Sequence, residues 1–284
     1  MSLTASPSRS RGAQATAVAD NLISPAAFDA ICKLFHRISG IQLHAGKRAL
    51  VTGRLIKLAQ ARGIDDVDAY VDWVLREQDP AEVVKVVDKL TTNETYFFRE
   101  PEHFTLLAKL ATQHRSGEAF RVWSGASSSG EEAYSIAMVL ADKLPHPRWE
   151  VVGTDLSTTV VAHARQGLYT LERARATPAE YLKRFCRKGH GPYEGTLLVA
   201  RELRDRVNFM TANLMEPLPE IGLFDVIFLR NVLIYFDNPA KAEIVRRVIT
   251  RLKPGALLFT GHAESLNNLG LPLRTVQPAV YACT

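Results

Sequence analysis

"RVWSGASSSGEEAYSIAM", Arg121 to Met138, is the stretch whose reading decides the fold. Arg121-Val122-Trp123 reads as a short strand. Ser124 to Gly130 is a loop of small residues, and a helix opens on Glu131-Glu132 with apolar Ile136, Ala137 and Leu140. At the carboxyl edge of an open α/β sheet, such a turn presents backbone N–H groups and a positive helix end to a ligand. A dinucleotide site would show G-x-G-x-x-G, whereas here the run is G-A-S-S-S-G-E-E. Two carboxylates in the first turn repel a pyrophosphate and suit a ligand with a cationic part, an ammonium or a sulfonium. The same two acids are also ordinary capping chemistry, and the loop alone does not decide between these readings.

The texture around it is alternating. Apolar runs stand at "FRVWS", "WEVVGTD", "VNFMTAN", "FDVIFLRN" and "ALLFTGH", with helical patterns between most of them, which predicts a parallel sheet with crossover helices. "TVQPAVYACT" is expected to add a last strand beside "ALLFTGH", its direction open. One interval, about 168–206, is too long for a plain connection. It holds "TPAEYLKRF", with a Thr177…Glu180 capping box and Pro178 at the first helical position, then the glycine-punctuated "RKGHGPYEGTLLVARELRDR". A small inserted β-subdomain is expected there.

Upstream, residues 23–90 read as all-helical. Ser24 as N-cap, Pro25 and Gly40 bracket a helix with Phe28, Ile31, Leu34, Phe35 and Ile38 on one face. A helix of about 47–62 carries Leu50, Val51, Leu55 and Leu58; the next carries Val67, Tyr70, Val71, Val74 and Leu75; the last is expected to bury Val83, Val84, Val87 and Leu90. Residues 91–284, with their alternating strands and helices, would form the second domain. Residues 1–22, rich in Ser, Ala and Arg without an apolar core, read as a disordered tail.

Composition excludes little but usefully. The 284 residues are 46% hydrophobic and 23% charged, with no apolar run near the ~18 residues of a membrane span. Net charge is +5, which permits an acidic partner without demanding one. Cys32, Cys186 and Cys283 are scattered, with no C-x-x-C pair, so neither a disulfide framework nor a zinc site is indicated, and no metal is expected. A reducing cytoplasm fits.

Three further features share the edge with the loop. Asp155 ends "VVGTD" about one βαβ unit on, where an acid grips a ribose diol or simply caps the next helix. Asn213-Leu214 follow the next strand, where an amide and an apolar residue suit an adenine. "FLRNVLIYF" presents Arg230, Asn231 and Tyr235. A nucleoside with a positively charged amino-acid tail, S-adenosylmethionine, satisfies all four together. Before the sheet, "TTNETYFFRE" sets Asn93, Thr95 and Arg99 among Tyr96, Phe97 and Phe98, dense enough in donors for a lid.

"TTNETYFFREPEHF", "RVWSGASSSGEEAYSIAM", "NFMTANL", "FDVIFLRNVLIYFD" and "LLFTGHAESL" together resemble the chemotaxis receptor glutamate methyltransferases (CheR-type), from about Ser24 to the C-terminus with order and spacing kept. The resemblance implies a small helical N-terminal domain, a Rossmann-like class I methyltransferase domain and an inserted β-subdomain. It implies S-adenosyl-L-methionine as donor, S-adenosyl-L-homocysteine as product, and glutamate methyl esters on a chemoreceptor's cytoplasmic helical bundle, for sensory adaptation. It assigns Asn93, Thr95 and Arg99 to a linker that contacts the cofactor, Glu131 to its amino-acid moiety and Asp155 to its ribose. Asn213 and Leu214 fall on the adenine side, with Arg230 and Asn231 at the next strand's end. Arg99 and Tyr235 match the positions beside the transferred methyl. Ala133 stands where a proline is often found and Leu229 where a cysteine is common, the latter arguing against a catalytic thiol.

Partners follow in the same way. Lys47, Arg48, Arg54, Lys57 and Arg62 lie on one helix and form either a dock for acidic receptor helices or a solvated face. Gly189, Gly191 and Gly195 resemble the loop that, in some members, captures a C-terminal receptor tether by β-augmentation, though glycines also simply build hairpins. A nucleic-acid methyltransferase is disfavoured by the lack of a Pro-Pro-aromatic box. A nicotinamide dehydrogenase fails on the glycine loop. A non-catalytic cofactor sensor on the same fold is disfavoured by the full set of matched residues. No membrane insertion and a monomer are the default expectations.

Overall fold

The computed structural model describes residues 22–114 and 117–284, so the tail expected over 1–22 lies, but for its last residue, outside them. The chain divides into two compact units between Leu90 and Thr91.

The first unit is helical for local reasons. α1 (Pro25–Ser39) starts where Ser24 accepts from the Ala27 N–H and stops at Gly40, whose φ of 71° only glycine adopts freely. A 3-10 turn at Ala45–Lys47 leads into α2 (Arg48–Ala61). α3 (Val67–Glu77) is capped by Asp66, which accepts from the N–H groups of Asp68 and Ala69. α4 (Pro80–Leu90) follows closely. Their buried faces carry Phe28, Ile31, Leu34, Phe35, Val51, Leu55, Leu58, Tyr70, Val71 and Val74. Ile38, Leu75 and Val83 are only half-buried.

Two expected core residues are outside: Leu50 is 41% and Val84 42% exposed. In α4 the inward face runs through Glu82, Val86 and Leu90, so Val84, two residues from Val86 at ~100° per residue, turns away. Glu82 sets that phase. Its buried carboxylate accepts from Tyr70 Oη at 2.8 Å, Arg62 Nη2 at 2.9 Å and Lys85 Nζ at 3.0 Å. Burial alone would push it up; the bonds from Lys85, Tyr70 and Arg62 hold it below the usual carboxylate range.

The second unit begins with a linker and α5 (Pro101–Gln113). β1 (Phe120–Gly125), α6 (Glu131–Lys143), β2 (Trp149–Asp155) and α7 (Thr158–Gln166) follow. After an insertion come β6 (Val207–Thr211), β7 (Phe224–Leu229), α10 (Asn238–Ile249) and β8 (Leu252–Thr260). The sheet closes with β9 (Leu273–Gln277) and β10 (Val280–Cys283), in the order β6-β2-β1-β7-β8-β10-β9. β1 pairs parallel with both β2 and β7, so the chain winds outward to β6 and then returns to the other side. The reversal between β1 and β7 puts a crevice at the strands' carboxyl ends. The C-terminus adds a hairpin where a single strand was expected: β10 runs antiparallel to β8, and β9 folds back on it.

The insertion forms a second antiparallel sheet, β3 (Leu168–Thr170), β4 (Cys186–Lys188) and β5 (Thr196–Val199), ordered β3-β5-β4. It also carries the short helices α8 (Ala179–Phe185) and α9 (Arg201–Arg204). The Thr177…Glu180 capping box does not form. Pro178 has ψ 134°, extended, so the helix starts one residue later than the box requires. Thr177 Oγ1 is buried without a hydrogen-bond partner.

Candidate active site at the carboxyl edge of the sheet

The β1–α6 loop is held in an unusual backbone. Ala126 (φ 60°), Ser128 (φ 50°) and Gly130 (φ 95°) are all left-handed, a conformation that costs non-glycine residues about 1 kcal/mol or more each. Tertiary bonds hold it. The Ser127 N–H donates to the Thr154 carbonyl and the Ser128 N–H to Asp155 Oδ2, both at 2.8 Å. Tyr169 Oη donates to the Ser129 carbonyl at 2.7 Å. Gly130 is required: a Cβ there would stand 2.8 Å from Ala164 Cβ and 2.9 Å from Phe209 Cζ. Ser127 Oγ is buried with no hydrogen-bond partner.

The two glutamates that open α6 do different things. Glu131, fully buried, accepts from Ser129 Oγ at 2.7 Å and is ion-paired with Arg173, a residue of the insertion that the sequence pattern gave no reason to single out. A carboxylate and a guanidinium side by side complement a zwitterion, such as an amino-acid tail. Glu132 accepts from Ser124 Oγ and Arg230 Nη1, both at 2.7 Å. Burial pushes Glu132 up against the pull of Arg230.

Arg230 is a clasp. Its side chain is 1% exposed, and Nη2 lies 3.0 Å from Glu100 Oε2 and 2.5 Å from the Arg99 carbonyl that accepts from it. Burial of Glu100 is outweighed by Arg230 and Asn231, which hold it below the usual carboxylate range. Arg230 therefore ties the end of the linker to the tip of β7, and both its terminal nitrogens are used within the protein. The linker is tied elsewhere too. Ser128 Oγ donates to the Asn93 carbonyl at 3.2 Å, and the Phe98 N–H donates to Ser135 Oγ at 3.0 Å. Phe97 and Phe98 are buried, and Tyr96 is 42% exposed.

The other expected residues collect at the same edge. Asp155 ends β2, and its oxygens accept from the N–H groups of Ser128 and Ser157. The helix cap is Ser157 itself, so Asp155 joins the loop to β2 and is not the cap. Asn213 forms a local turn, its Oδ1 accepting from the Met215 N–H at 3.0 Å, and Leu214 beside it is buried. Asn231 has φ 57°, and its Nδ2 donates to Glu100 Oε1 at 3.3 Å. Tyr235 closes a 3-10 turn, Leu233–Tyr235, and is half-buried. Thr95 is half-buried, and Arg99 Nη1 donates to the Glu94 carbonyl at 3.0 Å.

Glu264 was missed and is central to the edge. Its buried carboxylate accepts from the N–H groups of Asn231 (2.6 Å), Gly261 (2.7 Å) and Ile234 (3.2 Å), fixing the β7 tip against the β8 tip. An acid between "FTGH" and "SL" was the only available sign.

Lys47 and Lys57 are exposed and Arg48 is half-exposed. Arg54 donates to the Leu90 carbonyl at 2.8 Å, and Arg62 is bound to Asp79 and Glu82, so neither is a plain outward charge. Gly189, Gly191 and Gly195 lie in the β4–β5 connection; Gly191 (φ 58°) and Gly195 (φ 78°) are left-handed, and a Cβ at Gly189 would meet the Tyr193 carbonyl at 2.0 Å.

A doubly wound sheet ending in a reversed hairpin, with a strained small-residue loop, carboxylates and a carboxyl-edge acid, defines a class I S-adenosylmethionine-dependent methyltransferase. The edge fits that cofactor in two ways: an unpartnered buried hydroxyl at Ser127, and paired charges for an amino-acid tail. Comparison with known families agrees. Residues 93–281 match the CheR methyltransferase SAM-binding domain, and residues 26–91 the CheR methyltransferase all-alpha domain. The chain is 42% identical over 263 residues to the chemotaxis protein methyltransferase of Salmonella typhimurium, covering 92% of this chain and 91% of the relative. The Escherichia coli protein of the same name is 41% identical over the same shares. The chemotaxis protein methyltransferase 2 of Pseudomonas aeruginosa is 40% identical over 90% of this chain and 92% of its own. The chain belongs to the CheR methyltransferase family, and S-adenosylmethionine is its cofactor.

Proposed function

We propose that this protein esterifies glutamate side chains on the cytoplasmic helical bundle of chemoreceptors, as a cytoplasmic monomer serving sensory adaptation. One observation carries the choice of acceptor. Five carboxylates gathered at the edge, Glu100, Glu131, Glu132, Asp155 and Glu264, are engaged by internal donors, so none of these five is positioned as a free general base. An amine or hydroxyl acceptor would need to lose a proton; a glutamate, with pKa about 4.3, is already ionised at neutral pH.

S-adenosylmethionine supplies an electrophilic methyl on sulfonium sulfur. The chain's residues supply alignment and exclusion of water from the carboxylate. Arg99 and Tyr235 are donors suited to holding one oxygen of the substrate glutamate while the other faces the methyl. Asn93, Thr95, Asp155, Asn213, Leu214, Asn231 and the Glu131–Arg173 pair are assigned to holding the cofactor, with Arg230 positioning the linker. Unchanged turnover in both Arg99→Ala and Tyr235→Phe, with folding intact, would remove their role.

Two surfaces suit the receptor. Lys47, Arg48 and Lys57 offer exposed positive charge to acidic helices. In the β-subdomain, β4 is an edge strand, and Tyr193 stands 58% exposed in the adjoining loop, a fit for a C-terminal tether added as a further strand. None of the described helices is long and apolar enough to cross a membrane. The test is mass spectrometry of receptor methylated by the enzyme: methyl groups on glutamate side chains are expected, and methyl groups on lysine or arginine would overturn the reading.

A further inference from the structure

Three buried polar atoms without a hydrogen-bond partner, both ring nitrogens of His103 and Arg230 Nε, lie beside Glu100 Oε2, which has only its ion pair with Arg230. Buried polar groups are normally satisfied, so a cluster of orphans marks a place built for something else. His103, 1% exposed, sits on the first turn of α5, three residues after Glu100 and on the same face. Its Nδ1 is 3.5 Å from Glu100 Oε2. Its ring packs 5.3 Å from Phe259 and edge-on to His262 at 5.1 Å. His262 follows β8, and its side chain is 50% exposed, with Nε2 4.0 Å from Glu102 Oε2.

We propose that Glu100, His103 and His262 form a site for a borderline first-row divalent cation of the zinc type, and that the cation competes with Arg230 for Glu100. The three ligand atoms lie within 4.8 Å of one another. Two imidazoles and a carboxylate are the donor set of zinc, copper and nickel sites, whereas magnesium and calcium take oxygen donors. A tetrahedral site with bonds of ~2.0–2.1 Å needs ligand atoms about 3.4 Å apart, a closure available by rotating the exposed His262. His262 also gives the ion its entry path, and Glu102 can orient its ring from outside, as carboxylates commonly do for ligating histidines. The cysteine spacing gave no sign of such a site because no thiol takes part.

The cost falls on the clasp. Glu100 pairs with Arg230 and accepts from Asn231 Nδ2. A cation that draws Glu100 away loosens the linker from the β7 tip, and the positive guanidinium keeps the site weak. The cation therefore inhibits methyl transfer. Titrating the full chain with Co²⁺ tests binding directly. The wild type is expected to bind a single ion with the visible absorption of a nitrogen- and oxygen-ligated low-coordinate site, displaced by Zn²⁺ and not by Mg²⁺. His262→Ala is expected to lose that spectrum while keeping basal activity. Stoichiometric Zn²⁺ should slow wild-type methylation several-fold, reversed by chelator, and leave His262→Ala unaffected. Absence of the wild-type spectrum, or its survival in His262→Ala, would overturn the site. Binding that leaves the rate unchanged, or inhibition that persists in His262→Ala, would overturn the competition with Arg230.

Discussion

Arg230 Nη1 donates to Glu132 Oε2 at 2.7 Å, joining a residue at the tip of β7 to one 98 positions earlier at the start of α6. Through its other terminal nitrogen the same guanidinium holds the Arg99 carbonyl and Glu100. The linker, the ligand loop's helix and the sheet edge are thus set by one buried cation. Arg230→Met leaves Glu132 buried and unpaired, and is expected to cost about 3–5 kcal/mol. Adding Glu132→Gln should cost less than the sum of the two single changes. Urea unfolding of the four proteins checks this; strict additivity would dissolve the clasp.

Gly130→Ala is expected to weaken S-adenosylmethionine binding at least tenfold and to lower stability by about 2 kcal/mol. A methyl group there must displace Ala164 and Phe209 from a backbone at φ 95°. Calorimetric titration of cofactor into the variant reads the first effect, and thermal unfolding the second.

The charge of α2 gives a separable effect. Lys47→Glu with Arg48→Glu is expected to raise the KM for receptor several-fold, more at low salt, with cofactor affinity unchanged. Initial rates against receptor concentration at two ionic strengths decide it, and an unchanged KM removes this face from the interaction.

Glu82 ties stability to pH. Its folded pKa is held below the unfolded value of about 4.3, so its contribution is present above that value and lost as pH falls through the folded one. Glu82→Gln should cost about 2 kcal/mol near neutrality, and the cost should shrink in acid. Unfolding midpoints across that window, with the variant's acid limb as steep as the wild type's, would contradict the assignment.

How far the chain could be read follows from what is local. The β1–α6 loop, the strand runs and the Ser24 and Gly40 stops are each written within a few neighbouring residues, and the structure carries them. The capping box at Thr177 failed because Pro178 took an extended ψ that the motif cannot foresee. Val84 turned out exposed because the inward face of its helix runs through Glu82, Val86, Val87 and Leu90, with Glu82 held inside by Tyr70 from another helix. Glu264, Arg173 and the Arg230 clasp stayed hidden for the same reason: each joins loops far apart in sequence, and only the folded sheet brings them to one edge.

The most direct test of the central claim is transfer of radiolabelled methyl from S-adenosylmethionine to receptor-containing membranes, followed by mild base. Release of the label as volatile methanol is expected, because a glutamate methyl ester hydrolyses under those conditions. Label that is transferred and then resists base would place the methyl on nitrogen or another acceptor, and would contradict the account.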